Sequence, residues 1–121
     1  ALTKVGCRYS QEHRYEEGYY DCSSLVQRLY QEVGISLPAI ASTQGEFMVT
    51  HGLEVTEGEL EPGDLIFYSY EQNGQFRNIS HVAIYVGNGR MVHAANSRRG
   101  VVNDPFNPSN IGLYGRPSRL Q

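Results

Sequence analysis

The sequence predicts an α+β fold in which early helices pack on a later antiparallel sheet. Helical patterns occupy the first half of the chain, whereas β-rich runs separated by glycine turns occupy the second half. Such segregation is typical of α+β proteins, because helices and strands that alternate indicate a parallel sheet instead. At 121 residues and 40% hydrophobic composition, the chain has the size of one domain with its own core. We therefore expect a single domain over residues 1–121.

The first helix is predicted to begin at Cys22. The apolar residues from Leu25 to Val33 recur at spacings that place them on one stripe of an α-helix. Asp21 is a preferred N-cap residue, and its carboxylate can accept from the free N–H groups of the first turn. Gly34 follows the last periodic residue and is a typical C-terminal signal.

The remaining elements are predicted from shorter patterns of β-branched, aromatic and turn residues. The turn signature Pro62-Gly63-Asp64 precedes an apolar run, and a glycine-rich turn joins two β-rich runs into a hairpin. We predict a second helix at Ala41–Thr50, strands at Leu65–Tyr68, Ser80–Val86, Arg90–Ala95 and Val101–Val102, and loops at residues 6–20 and Asn103–Asn110.

The turn of this hairpin decides whether its two histidines can cooperate. With a two-residue loop, His81 and His93 would lie on opposite faces, since neighbouring side chains on a strand alternate. A three-residue loop from Gly87 to Gly89 pairs Val86 with Arg90 and places both histidines on one face. We predict the three-residue loop, with both histidines on the sheet face that meets the Cys22 helix and His81 nearer the sulfur.

These residue types in this order indicate a cysteine hydrolase. The nucleophile is a thiolate, so the thiol pKa of about 8.5 must be lowered. A helix N-terminus and an imidazolium both do this, and Cys22 with His81 and His93 would supply them. The alternative is a buried structural cysteine, which is the commonest fate of a free one.

Several motifs, taken in order, resemble the NlpC-type, papain-like peptidoglycan endopeptidases. Their order and spacing match the family, and the likeness covers nearly the whole chain. The matching segments are Gly6–Tyr9, Asp21–Val26, Leu37-Pro38 with Gln44, Leu60–Phe67, His81–Gly89 and His93-Ala94.

The resemblance implies a papain-like hydrolase of bacterial stem peptides, which usually cuts between D-glutamate and the following diamino acid. Carried over to this sequence, it makes Cys22 the nucleophile and His81 the general base. His93 becomes the polar residue that orients His81, and Tyr9 assists at the oxyanion hole. Neither a cofactor nor a metal ion is implied.

The resemblance also implies where the substrate binds. Asp21 and Ser23 match residues that in some members hold the free amine of an N-terminal L-alanine. The long, polar, tyrosine-rich stretch Ser10–Tyr20 departs from the family, in which many members carry a short glycine pair. Where many members have an arginine, this chain has Ala39. We expect these departures to change the shape of the substrate groove.

Composition excludes several other classes of protein. The net charge is −3 and the basic residues form no stripe, which argues against nucleic acid as a partner. No apolar run approaches the roughly 20 residues of a membrane span. Because Ala1 stands almost at the first motif, we expect a mature fragment or excised domain. We further expect a secreted monomer that acts in the cell wall or periplasm.

Three alternatives to a peptidase remain open at this stage. Cys7, Cys22, His81 and His93 are zinc-ligand types, although they lack the close pairs that zinc sites usually have. A wall-peptide-binding module without activity is a second alternative. A cell-wall amidase or an acyltransferase with the same Cys/His site is the third, because function belongs to the site and not to the fold.

Overall fold

The computed structural model describes residues 2–120, in which two α-helices pack against a six-stranded antiparallel sheet, as the α+β prediction requires. The sheet has the strand order β3-β8-β4-β5-β6-β7, and β1 and β2 form a separate parallel pair. The helices are α1 (Cys22–Glu32) and α2 (Ala41–Thr50). The strands are β1 (Arg8–Tyr9), β2 (Tyr19–Tyr20), β3 (Glu54–Val55), β4 (Leu65–Tyr68), β5 (His81–Gly87), β6 (Arg90–Asn96), β7 (Gly100–Pro105) and β8 (Ile111–Gly115).

Helix α1 begins and ends where the sequence predicts. Asp21 Oδ1 accepts from the Ser24 N–H at 2.8 Å, while Ser24 Oγ accepts from the Asp21 N–H at 2.9 Å. This reciprocal capping box satisfies two backbone donors that the helix itself leaves free. At the other end Gly34 has a φ of +86°, which a residue with a Cβ adopts only at a cost. Cys22 is therefore the first residue of a firmly capped helix.

The core lies between the two helices and one face of the sheet. Leu25 of α1 packs with the alanine and valine side chains of β6, and the fully buried Val26 packs with Val82 and Ile84 of β5. Burying each such side chain contributes about 1.5–3 kcal/mol. From α2, the buried Gln44 Nε2 donates to the carbonyl oxygen of Ser23 at 3.0 Å. This contact joins the start of α1 to α2.

The turn between β5 and β6 differs from the prediction. Gly87 pairs with Arg90, so the predicted pairing of Val86 with Arg90 is wrong. The loop is the two-residue Asn88-Gly89, whose φ angles of 54° and 70° match a type I′ turn. The register then shifts between Tyr85 and Gly87, which identifies a β-bulge at Val86. The extra residue thus lies in the strand and not in the loop.

The bulge places His81 and His93 on the same face of the sheet, as the three-residue loop was predicted to do. Beyond it Tyr85 pairs with Met91 and Ile84 with Val92, which is the register in which Ala83 faces His93. The rings of His81 and His93 are in contact, with 2.7 Å between His81 Nε2 and His93 Nδ1. The prediction that the two histidines share one face is confirmed.

The predicted identity of that face is wrong. Helix α1 packs on the face formed by Val82 and Ile84, and side chains alternate along a strand. The histidines therefore lie on the opposite face, with Ala83 and Met91. Because His81 is the first residue of β5, it nevertheless stands at the strand end where α1 begins.

Loops were predicted where β1, β2 and the end of β7 lie, and β3 and β8 were not predicted. Strand β8 lies inside the sheet between β3 and β4, and β7 runs on to Pro105. The glycines of β8 interrupt its apolar pattern, which is why the strand was not predicted, but packing requires them. A Cβ on Gly115 would overlap the Met48 side chain, and one on Gly112 would lie 3.0 Å from Ile79. The short pair β1 and β2 falls within residues expected to be irregular. No helix in residues 2–120 has the length and hydrophobicity needed to cross a membrane.

Candidate active site

Cys22 lies at the N-terminus of α1, where its own backbone N–H has no carbonyl partner within the helix. Its sulfur accepts from the backbone N–H groups of Val82 and Ser23. Burial, reinforced by the charge of Asp21, outweighs these hydrogen bonds and raises the pKa of the Cys22 thiol to about 11. The expectation of a lowered thiol pKa is therefore wrong for the resting protein. Desolvation is stronger here than the two backbone hydrogen bonds and the Arg14 charge, which favour the thiolate.

His81 is also uncharged at neutral pH. Burial and the neighbouring His93 lower the pKa of His81 to about 4. Its ring lies among aromatic side chains, with centroids 6.0 Å from Tyr68 and 6.3 Å from Tyr70. The resting site thus combines a neutral thiol with a neutral imidazole, and a proton must move before the sulfur becomes a nucleophile.

A chain of hydrogen bonds leads from His81 towards the surface. His93 Nε2 lies 2.8 Å from Asp104 Oδ2, and Asp104 accepts two bonds from Arg99 at 2.8 and 2.7 Å. The bonds from Arg99, with help from His93 and against the effect of burial, lower the pKa of Asp104 to about 2. Asp104 is therefore an ionised acceptor at any pH at which the protein is used.

This acceptor fixes the position of each imidazole proton. Because a carboxylate only accepts, the neutral tautomer of His93 that can donate to Asp104 carries its proton on Nε2 and presents Nδ1 as an acceptor. The 2.7 Å contact then requires His81 to donate from its own Nε2. His81 Nδ1 is left with a free lone pair. The order Asp104, His93, His81 thus prepares one particular nitrogen of His81 to act as a base.

Tyr9 lies beside this site on β1. Burial, and then the charges of Cys22 and Asp21, raise the pKa of the Tyr9 phenol, so its hydroxyl remains a donor at neutral pH. The strand is held on both sides, by pairing of Tyr9 with Tyr20 and by hydrogen bonds of 2.9 Å between the Gly6–Cys7 segment and Val101. Tyr9 is therefore presented by fixed backbone.

A cleft of about 450 Å³ opens beside Cys22 and holds both predicted substrate-binding residues, Asp21 and Ser23. A larger groove of about 540 Å³ lies against the other end of α1 and contains none of the candidate catalytic residues. The smaller cleft is therefore the candidate substrate site. Its lining comprises Gln11, Arg14, Asp21, Cys22, Ser23, Ile40, Ala41, Ser42, Asn73, Gln75, Ile79 and Ser80.

Sequence reasoning missed Asp104 and Tyr70 and did not place Arg99 in this hydrogen-bond chain. Asp104 was missed because β7 was predicted to end at Val102, whereas in the longer strand Asp104 pairs with Met91 on the histidine face. Arg99 lies just before β7, and its contact with the site depends on Asp104. The alternation of Val102 and Asp104 in an extended strand was the available signal. Tyr70, which stacks on Tyr68 with centroids 5.6 Å apart and lies close enough to Cys22 for the two charges to interact, gave no sequence signal.

The two cysteines do not form a pair. Both are free, and Cys7 packs in the cluster around Tyr20 and Val92, whereas Cys22 packs in the cluster around Val26 and Val82. Within residues 2–120, no group of three or more His, Cys, Asp or Glu side chains is arranged to hold a metal ion. The zinc-site alternative therefore has no ligand set in the described part of the chain.

A helix that begins at a cysteine, packed on an antiparallel sheet that carries a histidine pair, is the arrangement of papain-like cysteine peptidases. The model of the NlpC/P60 family matches residues 7–111. This chain belongs to the NlpC/P60 family. The resemblance drawn from its motifs is confirmed.

Relatives of this chain include two proteins from Bacillus species that are named as peptidases. The chain is 33% identical over 101 residues to the gamma-D-glutamyl-L-lysine dipeptidyl-peptidase of Bacillus cereus, which covers 83% of this chain and 28% of that protein. It is 38% identical over 99 residues to the bifunctional muramidase/DL-endopeptidase CwlT of Bacillus subtilis, covering 80% and 28%. The chain thus spans less than a third of either relative.

Solved structures show the same fold. NlpC1 from Trichomonas vaginalis superposes with a TM-score of 0.81 at 29% identity, over 95% of this chain and 40% of that one. The agreement extends over nearly all of the elements described above.

The lowered pKa of His81 predicts a specific pH dependence of stability. The unfolded chain takes up a proton on this histidine near pH 6.5, whereas the folded protein resists it until about pH 4. The free energy of unfolding should therefore fall by up to about 3 kcal/mol as pH decreases through this window. His81→Gln should flatten the curve between pH 6.5 and 4, as measured by denaturant unfolding at fixed pH. His51→Gln, which removes an exposed histidine, serves as the control. Equal slopes for wild type and His81→Gln would contradict the burial argument.

Proposed function

We propose that this chain is the catalytic domain of a peptidoglycan hydrolase that cuts stem peptides with Cys22 as nucleophile. The observation that carries the proposal is the hydrogen-bonded pair of His81 and His93, set at the strand end where the Cys22 sulfur meets the N–H of Val82. The names of the Bacillus relatives support the choice of substrate. The bond to be cut is the one between D-glutamate and the diamino acid.

In the first step His81 Nδ1 takes the thiol proton from Cys22 as the sulfur attacks the peptide carbonyl. A concerted transfer fits the neutral resting pair, because neither group is charged at neutral pH. The imidazolium formed on His81 is stabilised through His93 by the Asp104 carboxylate, at distances of 2.7 and 2.8 Å. The hydrogen-bond chain from Asp104 through His93 therefore stabilises the positive charge on His81 as it develops.

The oxyanion of the tetrahedral intermediate accepts from the free backbone N–H of Cys22 and from the Tyr9 hydroxyl. Backbone donors at a helix N-terminus suit this task because they are fixed in place and aligned with the helix dipole. His81 then gives its proton to the leaving amine. In the second half-reaction His81 takes a proton from water as the hydroxide attacks the thioester. The tetrahedral intermediate then releases the new carboxyl product, the C–S bond breaks, and His81 returns its proton to the Cys22 sulfur.

Asp21 and Ser23 border the subsite that receives the part of the peptide before the cleaved bond. Both lie in the 450 Å³ cleft next to Cys22. The enzyme needs no metal or cofactor for these steps and works as a single domain and a monomer. Its place of action is the cell wall or periplasm, where its substrate lies.

Replacing the nucleophile tests the proposal directly. Cys22→Ala should abolish release of peptides from purified peptidoglycan, and Cys22→Ser should be nearly as inactive because a hydroxyl is much harder to ionise than a thiol. Cys7→Ala, the matched control, should remain active. Thiol alkylation should inactivate the enzyme and a chelator should not. Mass spectrometry of the released fragments identifies the bond. Cleavage that survives Cys22→Ala, or that a chelator stops, would exclude this mechanism, and release of whole stem peptides would identify an amidase.

The two histidines should differ in their tolerance of substitution. Loss of His81 removes proton transfer from both half-reactions, which is typically worth about 10²- to 10⁴-fold in rate. His93→Gln keeps a carbonyl that can accept from His81 Nε2, so measurable activity should remain. Steady-state kinetics of His81→Gln and His93→Gln, each checked for folding, provide the comparison. Equal inactivity of the two variants would refute the division of roles.

Asp104 should act as a positioning residue through His93. Asp104→Asn can turn its amide N–H towards His93, which moves the His93 proton to Nδ1 and the free lone pair of His81 to the wrong nitrogen. We expect kcat to fall, by less than for His81→Gln, and the ¹⁵N shifts of both imidazoles to report the changed tautomer. Glu46→Gln removes an exposed carboxylate from α2 and is the matched control. Unchanged ¹⁵N shifts in Asp104→Asn would show that Asp104 is only structural.

A further inference from the structure

The segment Ser10–Tyr20, where this chain departs from its family, places an arginine in the substrate cleft. Arg14 Nη2 donates to Ser23 Oγ at 3.0 Å and to the carbonyl oxygen of Ala39. Arg14 Nε lies 3.4 Å from Asp21 Oδ2. One guanidinium thus contacts both residues that border the subsite beside Cys22, and it reaches them from outside α1.

The backbone that carries Arg14 is held by α1. Arg28 Nη1 donates to the carbonyl oxygens of Arg14, Glu16 and Tyr19 at 3.0, 3.2 and 2.8 Å. The Tyr15 hydroxyl donates to the Gln27 side chain at 2.6 Å. The position of Arg14 is therefore set by the same helix that carries Cys22.

A positive charge already lies against Asp21, although its Oδ2 accepts no hydrogen bond in residues 2–120: the nearest donor, Arg14 Nε, is 3.4 Å away and has no hydrogen-bond partner. Its Oδ1 accepts from the Ser24 N–H at 2.8 Å, and its Oδ2 faces the Arg14 guanidinium. Asp21 is buried, and the other cleft-lining residues are uncharged. An ammonium group placed beside Asp21 would have to displace a guanidinium or lie against it, and like charges at such distances repel.

We propose that Arg14 makes this subsite reject a free amino terminus and select stem peptides whose N-terminal L-alanine is amide-linked, as it is in intact peptidoglycan. The inference rests on the proposed function and specifies its substrate. A neutral amide fits the cleft because its carbonyl can accept from Arg14, whose Nη1 and buried Nε have no hydrogen-bond partner in residues 2–120. The free peptides produced by turnover would be poor substrates.

Two synthetic peptides that differ only at the amino terminus test this selectivity. Each contains L-alanine, γ-linked D-glutamate and the diamino acid that the wild type cleaves, with the terminus either free or acetylated. For the wild type, kcat/KM should be at least about tenfold higher for the acetylated peptide. Arg14→Gln should shift the ratio towards the free amine by about 10- to 100-fold, because a charged hydrogen bond to the released Asp21 then becomes available. Arg14→Lys should keep the wild-type preference.

The pH dependence separates this role from a structural one. In Arg14→Gln the gain for the free amine should disappear above about pH 8, where the α-amino group loses its charge. Arg119→Gln, which removes an exposed arginine far from the cleft, should leave the ratio at its wild-type value. If Arg14→Gln does not fold, the kcat/KM ratios of the wild type and of Arg14→Lys for the two peptides still test the proposed preference.

The outcomes distinguish selectivity from activity. A wild type that prefers the free amine, or a ratio that Arg14→Gln leaves unchanged, overturns the role of Arg14 while Cys22-dependent cleavage continues. Failure of the wild type to cut either peptide, or cleavage that persists in Cys22→Ala, overturns the proposed function itself.

Discussion

A single extra residue in β5 keeps the two histidines of the site in contact. Without the bulge at Val86, the type I′ turn at Asn88-Gly89 would place His81 and His93 on opposite faces of the sheet. Because both side chains lie on one face, their rings form a hydrogen bond. The link from His93 to Asp104 can then fix the tautomers of both rings. Bulges are often found beside functional sites because they redirect side chains without breaking the sheet.

Burial and hydrogen bonding have opposing effects at this site. Desolvation keeps Cys22 and His81 neutral, which alone would make a poor nucleophile and a weak base. In the proposed mechanism, the helix N-terminus and the Asp104 carboxylate supply stabilisation only when charge appears on the oxyanion and on His81. Interactions that strengthen in the transition state are those that raise kcat. The neutral resting state is thus consistent with catalysis.

The sequence was a good guide wherever the signal is local. The apolar stripe, the N-cap and the terminal glycine located α1, because each acts within a few residues of itself. Strand β8 was missed because its glycines are required by contacts with α2 and Ile79, and such contacts leave no periodic pattern. Asp104 was missed because β7 was predicted to end at Val102. The prediction that both histidines lie on one face was correct although the predicted loop was wrong, because the bulge in β5 restores the register that a three-residue loop would have given.

The parallel pair of β1 and β2 closes the segment between them into a loop with fixed ends. Hydrogen bonds of 2.9 Å from the N–H groups of Arg8 and Ser10 to the carbonyls of Gly18 and Tyr20 join the two strands, so Tyr9 keeps its place whatever the intervening residues are. The entropy of closing a loop depends only weakly on its length. Insertions and replacements between these anchors therefore cost the fold little, so the segment that carries Arg14 can vary in sequence while the candidate catalytic residues keep their positions.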